Sequence, residues 1–180
     1  MSADLRPPRP GPQRTQRWKL SLLNVFPPYL GAGVRVRRLA DDPLVFESTM
    51  RLRWWNRNYF ATHFGGSLYS LCDPFFALIL VEALGPHEFI VWDKAAAVRF
   101  RRPGTGTVRA RFAIPRERIE EIRTAALAAE KVEPQFTVQV LDEQDRVVAE
   151  VDKLLHVRHR RRFAATDATA DSAPTVADPS

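Results

Sequence analysis

Hydrophobic and polar positions alternate through much of the middle of the chain. Phe46, Ser48, Met50, Leu52 and Trp54 fall on one side of a two-residue repeat, with Val45, Glu47, Thr49, Arg51 and Arg53 on the other, which predicts a half-buried strand. The repeat returns in Thr107 to Ile114, where Val108, Ala110, Phe112 and Ile114 oppose Arg109 and Arg111, and in Val132 to Leu141, where Phe136, Val138 and Val140 oppose Thr137 and Gln139. A last strand, Val147 to Val157, follows the polar turn Asp142 to Arg146 and sets Val147, Ala149, Val151, Leu155 and Val157 on one side. Phe89 to Arg102 is a long β-rich run, and Val34 to Arg38 supplies a short sixth strand. Two stretches have helical character instead. Gly65 to Leu84 is apolar nearly all round, which predicts a buried helix; Pro115 to Lys131 sets Ile119, Ile122, Ala126 and Leu127 among Glu and Arg, which predicts an amphipathic surface helix begun by proline. One buried helix among antiparallel strands points to an α+β fold, a curved sheet wrapped around a central helix.

Composition sets the limits of that domain. The chain has 180 residues, enough for one domain with tails but not for two. A Pro/Arg-rich start and an Ala/Thr/Asp/Ser end lack apolar periodicity, so residues 1–17 and 160–180 are expected to be disordered tails around a domain spanning 18–159. The net charge is +6, but residues 1–20 hold five basic side chains against Asp4, and residues 158–180 hold four against three aspartates, leaving +1 for the middle. Nucleic-acid binding is therefore not expected of the fold, and a basic tail would be its sole carrier. The single cysteine, Cys72, forms no intramolecular disulfide, and the four scattered histidines lack the paired spacings of a zinc site, so no metal is expected. The longest strongly apolar run, Phe75 to Val81, is closed by Glu82; no membrane span and a cytoplasmic location follow as expectations.

Chemistry concentrates where the second strand gives way to the buried helix. Arg53 to Ser67 holds Trp54, Trp55, Asn58, Thr62, His63 and the pair Gly65-Gly66, and Asp73 follows seven residues after Gly66. Paired glycines at a helix start let a ligand approach the backbone, and the free amides of Gly66 and Ser67 favour an oxyanion; a tight turn is the plainer alternative. Asp73-Pro74 reads either as the cap and first residue of a helix or as a kink in one already running. Either way, a carboxylate among Leu71, Cys72, Phe75 and Phe76 needs a partner or becomes a candidate general base. Cys72 reads as core filling. Of Trp54 and Trp55, one ring is expected in the core and the other at an edge.

The run from Asn58 through His63, Gly65 and Gly66 to Asp73 resembles the loop and central helix of PaaI-like acyl-CoA thioesterases of the hotdog fold, and Val98 to Gly104 resembles their F-x-R-P strand end. Asn58 stands eight residues before Gly66 and Asp73 seven after it, as in that family. From Asn24 to Arg158, with Trp54 to Asn58 and Val91 to Lys94, the chain is closer still to the DUF4442 group, a hotdog relative. One departure is clear: the family's His-Gly-Gly is His63-Phe64-Gly65-Gly66 here, so His63 stands one place early and is a candidate of second rank.

The resemblance implies a hydrolase of acyl-CoA or acyl-carrier-protein thioesters that needs no cofactor beyond the coenzyme A of its substrate. Asp73 would activate water or attack, Asn58 would orient water or thioester, and the Gly66 and Ser67 amides would take the oxyanion. Arg99, Arg101 and Arg102 would meet coenzyme A phosphates, or serve merely as surface charges near a sheet edge. A non-catalytic module binding an acyl group or a protein partner is the alternative; a hydratase site would need His63 and Asp73 at a spacing they lack. Seven residues along one helix span about 10 Å, too far for Gly66 and Asp73 of one chain to act on one carbonyl, so a homodimer or dimer of dimers is expected.

Overall fold

The structure, a computed structural model, describes residues 22–160; the expected tails, Arg160 apart, lie outside the described residues. A 3-10 turn (Leu22–Val25) and a short helix α1 (Pro27–Ala32) precede two strands, β1 (Val34–Asp41) and β2 (Leu44–Arg51). Helices α2 (Gly65–Ser70) and α3 (Phe75–Leu84) follow, then β3 (Phe89–Phe100), β4 (Thr107–Ala113), α4 (Arg116–Ala128), β5 (Gln135–Leu141) and β6 (Val147–His159). The six strands form one antiparallel sheet in the order β1-β2-β4-β5-β6-β3, curved around α2 and α3, the hotdog arrangement that the sequence implied.

The alternation of the sequence becomes the two faces of this sheet. Phe46, Ser48 and Met50 on β2, Val108, Ala110 and Phe112 on β4, Val138 and Val140 on β5, and Val151, Leu155 and Val157 on β6 are buried against the helices. Phe75 of α3 lies at the centre, its ring 4.5 Å from that of Phe112 and 5.4 Å from that of Phe46, and Phe76 stacks on Phe136 at 4.8 Å. Ile119, Ile122 and Ala126 of α4 close one end, and Arg123 of the same helix donates to the carbonyls of Ala83 and Leu84 at 2.6 and 3.1 Å. Those carbonyls end α3 and have no partner within the helix, so a guanidinium satisfies them and meets the negative end of its dipole.

Three expectations change. Gly65 to Leu84 is two helices rather than one, because Pro74 has no amide hydrogen to continue the ladder. The amides of Leu71 and Cys72 close the first helix on the carbonyls of Ser67 and Tyr69, and Pro74, not Asp73, occupies the N-cap of the second. By length and composition this 20-residue segment, with a mean hydropathy of 1.5, would suffice to cross a membrane, which the shorter run considered in the sequence would not. Its place inside the sheet, with Leu68, Leu71, Phe75, Ile79 and Leu80 buried, is that of a core helix. Finally, β2 stops at Arg51, where Leu52 N–H turns to the Gly106 carbonyl and Arg53 N–H to Asn56 Oδ1. The alternation therefore fails beyond the strand: Trp54 is 78% exposed, and Trp55, in edge contact with it, is exposed as well, so neither ring enters the core.

The packing predicts contrasting substitutions. Phe112→Ala, which empties the middle of the aromatic stack, should cost about 3–5 kcal/mol of unfolding free energy in urea titration, whereas Trp54→Ala should stay within about 0.5 kcal/mol of the parent.

Candidate functional site

At the break between α2 and α3, the Asp73 side chain turns away from its apolar neighbours and remains 40% exposed. Its Oδ1 accepts a hydrogen bond from Lys153 Nζ at 2.6 Å. Lys153 projects from the inner face of β6 with its side chain only 1% exposed, and its ammonium also donates to the Tyr69 hydroxyl at 3.0 Å and lies 3.2 Å from Asp93 Oδ1 on β3. The same ammonium lies 4.9 Å from the centre of the Tyr69 ring. Tyr29 of α1 donates its hydroxyl to the Asp73 carbonyl oxygen, which ties the helix break to the N-terminal helix.

Electrostatics follow from this packing. Burial acts to lower the Lys153 pKa, but the hydrogen bonds to Asp73 and Tyr69 and the charges of Asp73 and Asp93 outweigh it and hold it above the ordinary lysine value. Burial raises the Asp93 carboxyl; Lys153 opposes that shift and the neighbouring Asp73 adds to it. Burial likewise pushes the Cys72 thiol up to about 12, so Cys72 is core filling and no thiolate nucleophile.

The glycine pair starts α2 between two aromatic rings. A Cβ on Gly65 would come within 2.9 Å of Phe100 Cζ, and one on Gly66 within 2.6 Å of Phe64 Cε1, so each ring lies directly on a backbone that only glycine leaves bare. The sequence-predicted residues divide on either side. Gly66 and Ser67 line a cleft of about 410 Å³ with Trp55, Arg57 and Phe64. Asn58, His63, Gly65, Arg101 and Arg102 line another of about 550 Å³, walled by Phe100 and Leu68. Asp73 lines neither of these two clefts.

Asn58 is occupied by its own loop. Its Oδ1 accepts from the amides of Phe60 and Thr62 at 2.9 and 3.1 Å, and its Nδ2 donates to Thr62 Oγ1 and the His63 carbonyl at 2.9 and 3.3 Å. This is the local side-chain to backbone bonding that Asn offers a turn. Buried Asn56 does the same work between elements: Oδ1 takes the Arg53 amide at 2.7 Å, and Nδ2 donates to the Ala32 and Arg51 carbonyls, both at 3.0 Å. His63 is buried, with Nε2 3.2 Å from the Gly106 carbonyl, and burial lowers its pKa against the opposing pull of that bond. Nε2 therefore carries the proton in a neutral ring, and Nδ1 has no partner among the described residues. Arg99 lies on the outer face of the sheet, bound to Glu150 and Asp152, both at 2.6 Å, with Arg101 3.3 Å from Glu150.

Lys153 and Asp93 escaped the sequence reading, though one signal was present. Position 153 is the gap in the inward series Val151, Leu155, Val157: a lysine stands where the alternation demands an apolar residue. A charge at an inward strand position requires a buried counter-charge, and Asp73 was already singled out for lacking one.

Comparison with known proteins agrees with this architecture. A probable thioesterase from Pseudomonas aeruginosa superposes with a TM-score of 0.73 at 26% identity, over 83% of this chain and 98% of that one. A thioesterase from Haemophilus influenzae gives a TM-score of 0.57 at 17% identity, over 78% of this chain and 88% of that one. The PaaI protein of the E. coli phenylacetic acid degradation operon gives 0.53 at 16%, over 79% and 93%. No curated protein matches the sequence significantly. The model of the DUF4442 family, a domain of unknown function, matches residues 14–157, and with the hotdog sheet and its central helix this places the chain in that family.

Proposed function

We propose that the protein hydrolyses acyl-CoA or acyl-carrier-protein thioesters as a homodimer, with Asp73 as general base. The observation that carries this reading is the Asp73 carboxylate, held at the helix break by a buried ammonium yet still partly open to solvent, on a scaffold shared with thioesterases. Asp73 takes a proton from water as the water oxygen bonds to the thioester carbonyl carbon. The oxyanion then formed is met by the Gly66 and Ser67 amides, which at the start of α2 have no carbonyl one turn back to bond. On collapse the C–S bond breaks, and the proton passes from Asp73 to the leaving sulfur, restoring the carboxylate. Arg101 and Arg102, exposed residues lining the larger cleft, would meet the phosphates of the carrier, while Arg99 is already engaged by two carboxylates.

The second chain is argued from β3. This twelve-residue strand pairs only with β6, so its other edge is unpaired among the described residues, and its centre, Ala95 to Ala97, is small and exposed. Beyond the bulge at Asp93 to Ala95, a long open edge of this kind calls for cover, and a copy of itself supplies it by antiparallel pairing about a two-fold axis. With the axis near Ala96, the Asp93 end of one strand runs beside the Val98 to Phe100 end of the other. Because Asp93 sits with Lys153 and Asp73, while Phe100 covers Gly65, the pairing brings the partner's Asp73 toward the glycine pair. The break between α2 and α3 means that Gly66 and Asp73 are not separated by the rise of one continuous helix, and the open β3 edge favours a second chain independently of that separation.

A second reading, a non-catalytic module that binds an acyl group, is favoured by Asn58, whose hydrogen-bonding capacity is spent within its loop. It predicts a higher melting temperature with acyl-CoA and no thiol release.

Three outcomes follow from the hydrolase reading. Thiol release from a panel of acyl-CoAs should fall by about 10²-fold or more in Asp73→Asn, the contribution expected of a general base, and unchanged turnover would remove Asp73 from the mechanism. Ala95→Glu with Ala97→Glu, which crowds like charges about the proposed axis, should turn a dimer into a monomer in light scattering. Co-refolded Asp73→Asn and Gly66→Val proteins, each inactive, should regain about a quarter of parent activity if the site spans two chains, since about half the dimers are mixed and each holds one intact site; no recovery means that both groups act within one chain.

A further inference from the structure

We propose that Lys153 and Asp93 are positioning residues for Asp73, with Asp93 the alternate counter-ion that balances the buried ammonium whenever Asp73 loses its negative charge during turnover. The proposal rests on the hydrolase reading and extends it to residues that touch no substrate. An ammonium 1% exposed cannot be left without a counter-charge, since an unpaired charge in the interior is among the most costly defects a fold can carry. Yet a general base must be neutralised in every cycle: as Asp73 accepts the proton of the attacking water, its half of the ion pair vanishes. The geometry shows what remains. Nζ is 2.6 Å from Asp73 Oδ1, 3.2 Å from Asp93 Oδ1 and 3.0 Å from the Tyr69 hydroxyl, so one cation stands between two carboxyl groups contributed by the helix break and by β3.

The two acids have different surroundings. The Asp93 side chain is 21% exposed, about half the exposure of Asp73, and Asp93 pairs with Leu155 of β6 where a bulge begins, whereas Asp73 sits in the turn between two helices. Asp93 is thus the more enclosed counter-ion and Asp73 the one more open to solvent. The other titratable groups around them are Tyr69, Tyr29, whose hydroxyl bonds the Asp73 carbonyl, and Cys72; burial raises Tyr29 and Cys72, so both are neutral and neither competes for the ammonium. Removal of Asp93 leaves Asp73 as the ammonium's sole counter-ion among the described residues, which makes its protonation harder and the base weaker. Removal of Lys153 leaves two neighbouring carboxyl groups with no cation, which makes protonation easier.

Kinetics and titration test this separately. Asp93→Asn, which is isosteric, should lower kcat about tenfold with KM within about twofold, and move the acid limb of the pH profile to lower pH; Lys153→Met should move that limb the other way. A merely structural role would leave the limb in place. Independently of activity, the ¹³Cγ resonance of Asp93 in the full-length protein should titrate at lower pH in Asp73→Asn and at higher pH in Lys153→Met. An Asp93 titration unmoved by Asp73→Asn overturns the charge-sharing unit, whether or not thiol is released and whether or not Lys153→Met folds. Absence of thiol release by the parent protein, with the coupled titration intact, overturns the hydrolase reading instead.

Discussion

A lysine ammonium enclosed beneath a sheet has to be neutralised where it stands, and much of the geometry of this protein follows from that requirement. Lys153 is fixed by β6, so its partners must come to it: Asp93 from the adjacent strand and Asp73 from the helix that crosses above. A continuous helix would carry Asp73 as one more position on an apolar cylinder. The break at Pro74 frees the turn, and Leu71, Cys72 and Phe75 stay buried while the aspartate between them reaches the ammonium. Tyr29 holds the same turn from α1, so the helix break, the sheet and the N-terminal helix meet at one polar point.

That point belongs to the edge of the sheet rather than its centre. The centre of the core is apolar, with the rings of Phe46, Phe75, Phe76 and Phe112 packed among aliphatic side chains. Polar groups gather instead along β3 and at the start of α2, beside the exposed rings of Tyr59, Phe60, Phe64 and Phe100. Exposed aromatic surface beside a strand edge left open among the described residues is unfavourable in an isolated chain, and the proposed pairing of two chains would cover it.

Much of the fold was legible because burial on a strand has a period of two, and the inward residues of β4 and β6 could be named from the alternation. It misled where the strand ended: Leu52 and Trp54 continue the pattern of β2 in sequence, but Arg53 and Asn56 turn the chain away, and a turn set by side-chain hydrogen bonds leaves no periodic trace. The site was legible in part. Asp73 and the glycine pair were found through spacing and resemblance, but that Gly65 and Gly66 line different clefts while Asp73 lines neither, and that Asn58 spends its amide on its own loop, depends on tertiary packing. Lys153 was visible only as an exception to a rule, a charge in an inward slot, and its pairing with Asp73 spans eighty positions of the chain.

The account's central claim is that one reaction centre is assembled from the glycine pair of one chain and the Asp73 unit of another. A crystal structure with a non-hydrolysable acyl-CoA analogue measures this most directly. The account predicts the analogue's carbonyl oxygen within hydrogen-bonding distance of the Gly66 or Ser67 amide, with the partner's Asp73 facing the carbonyl carbon across paired β3 strands. An analogue bound wholly within one chain, or seated away from both groups, would contradict it.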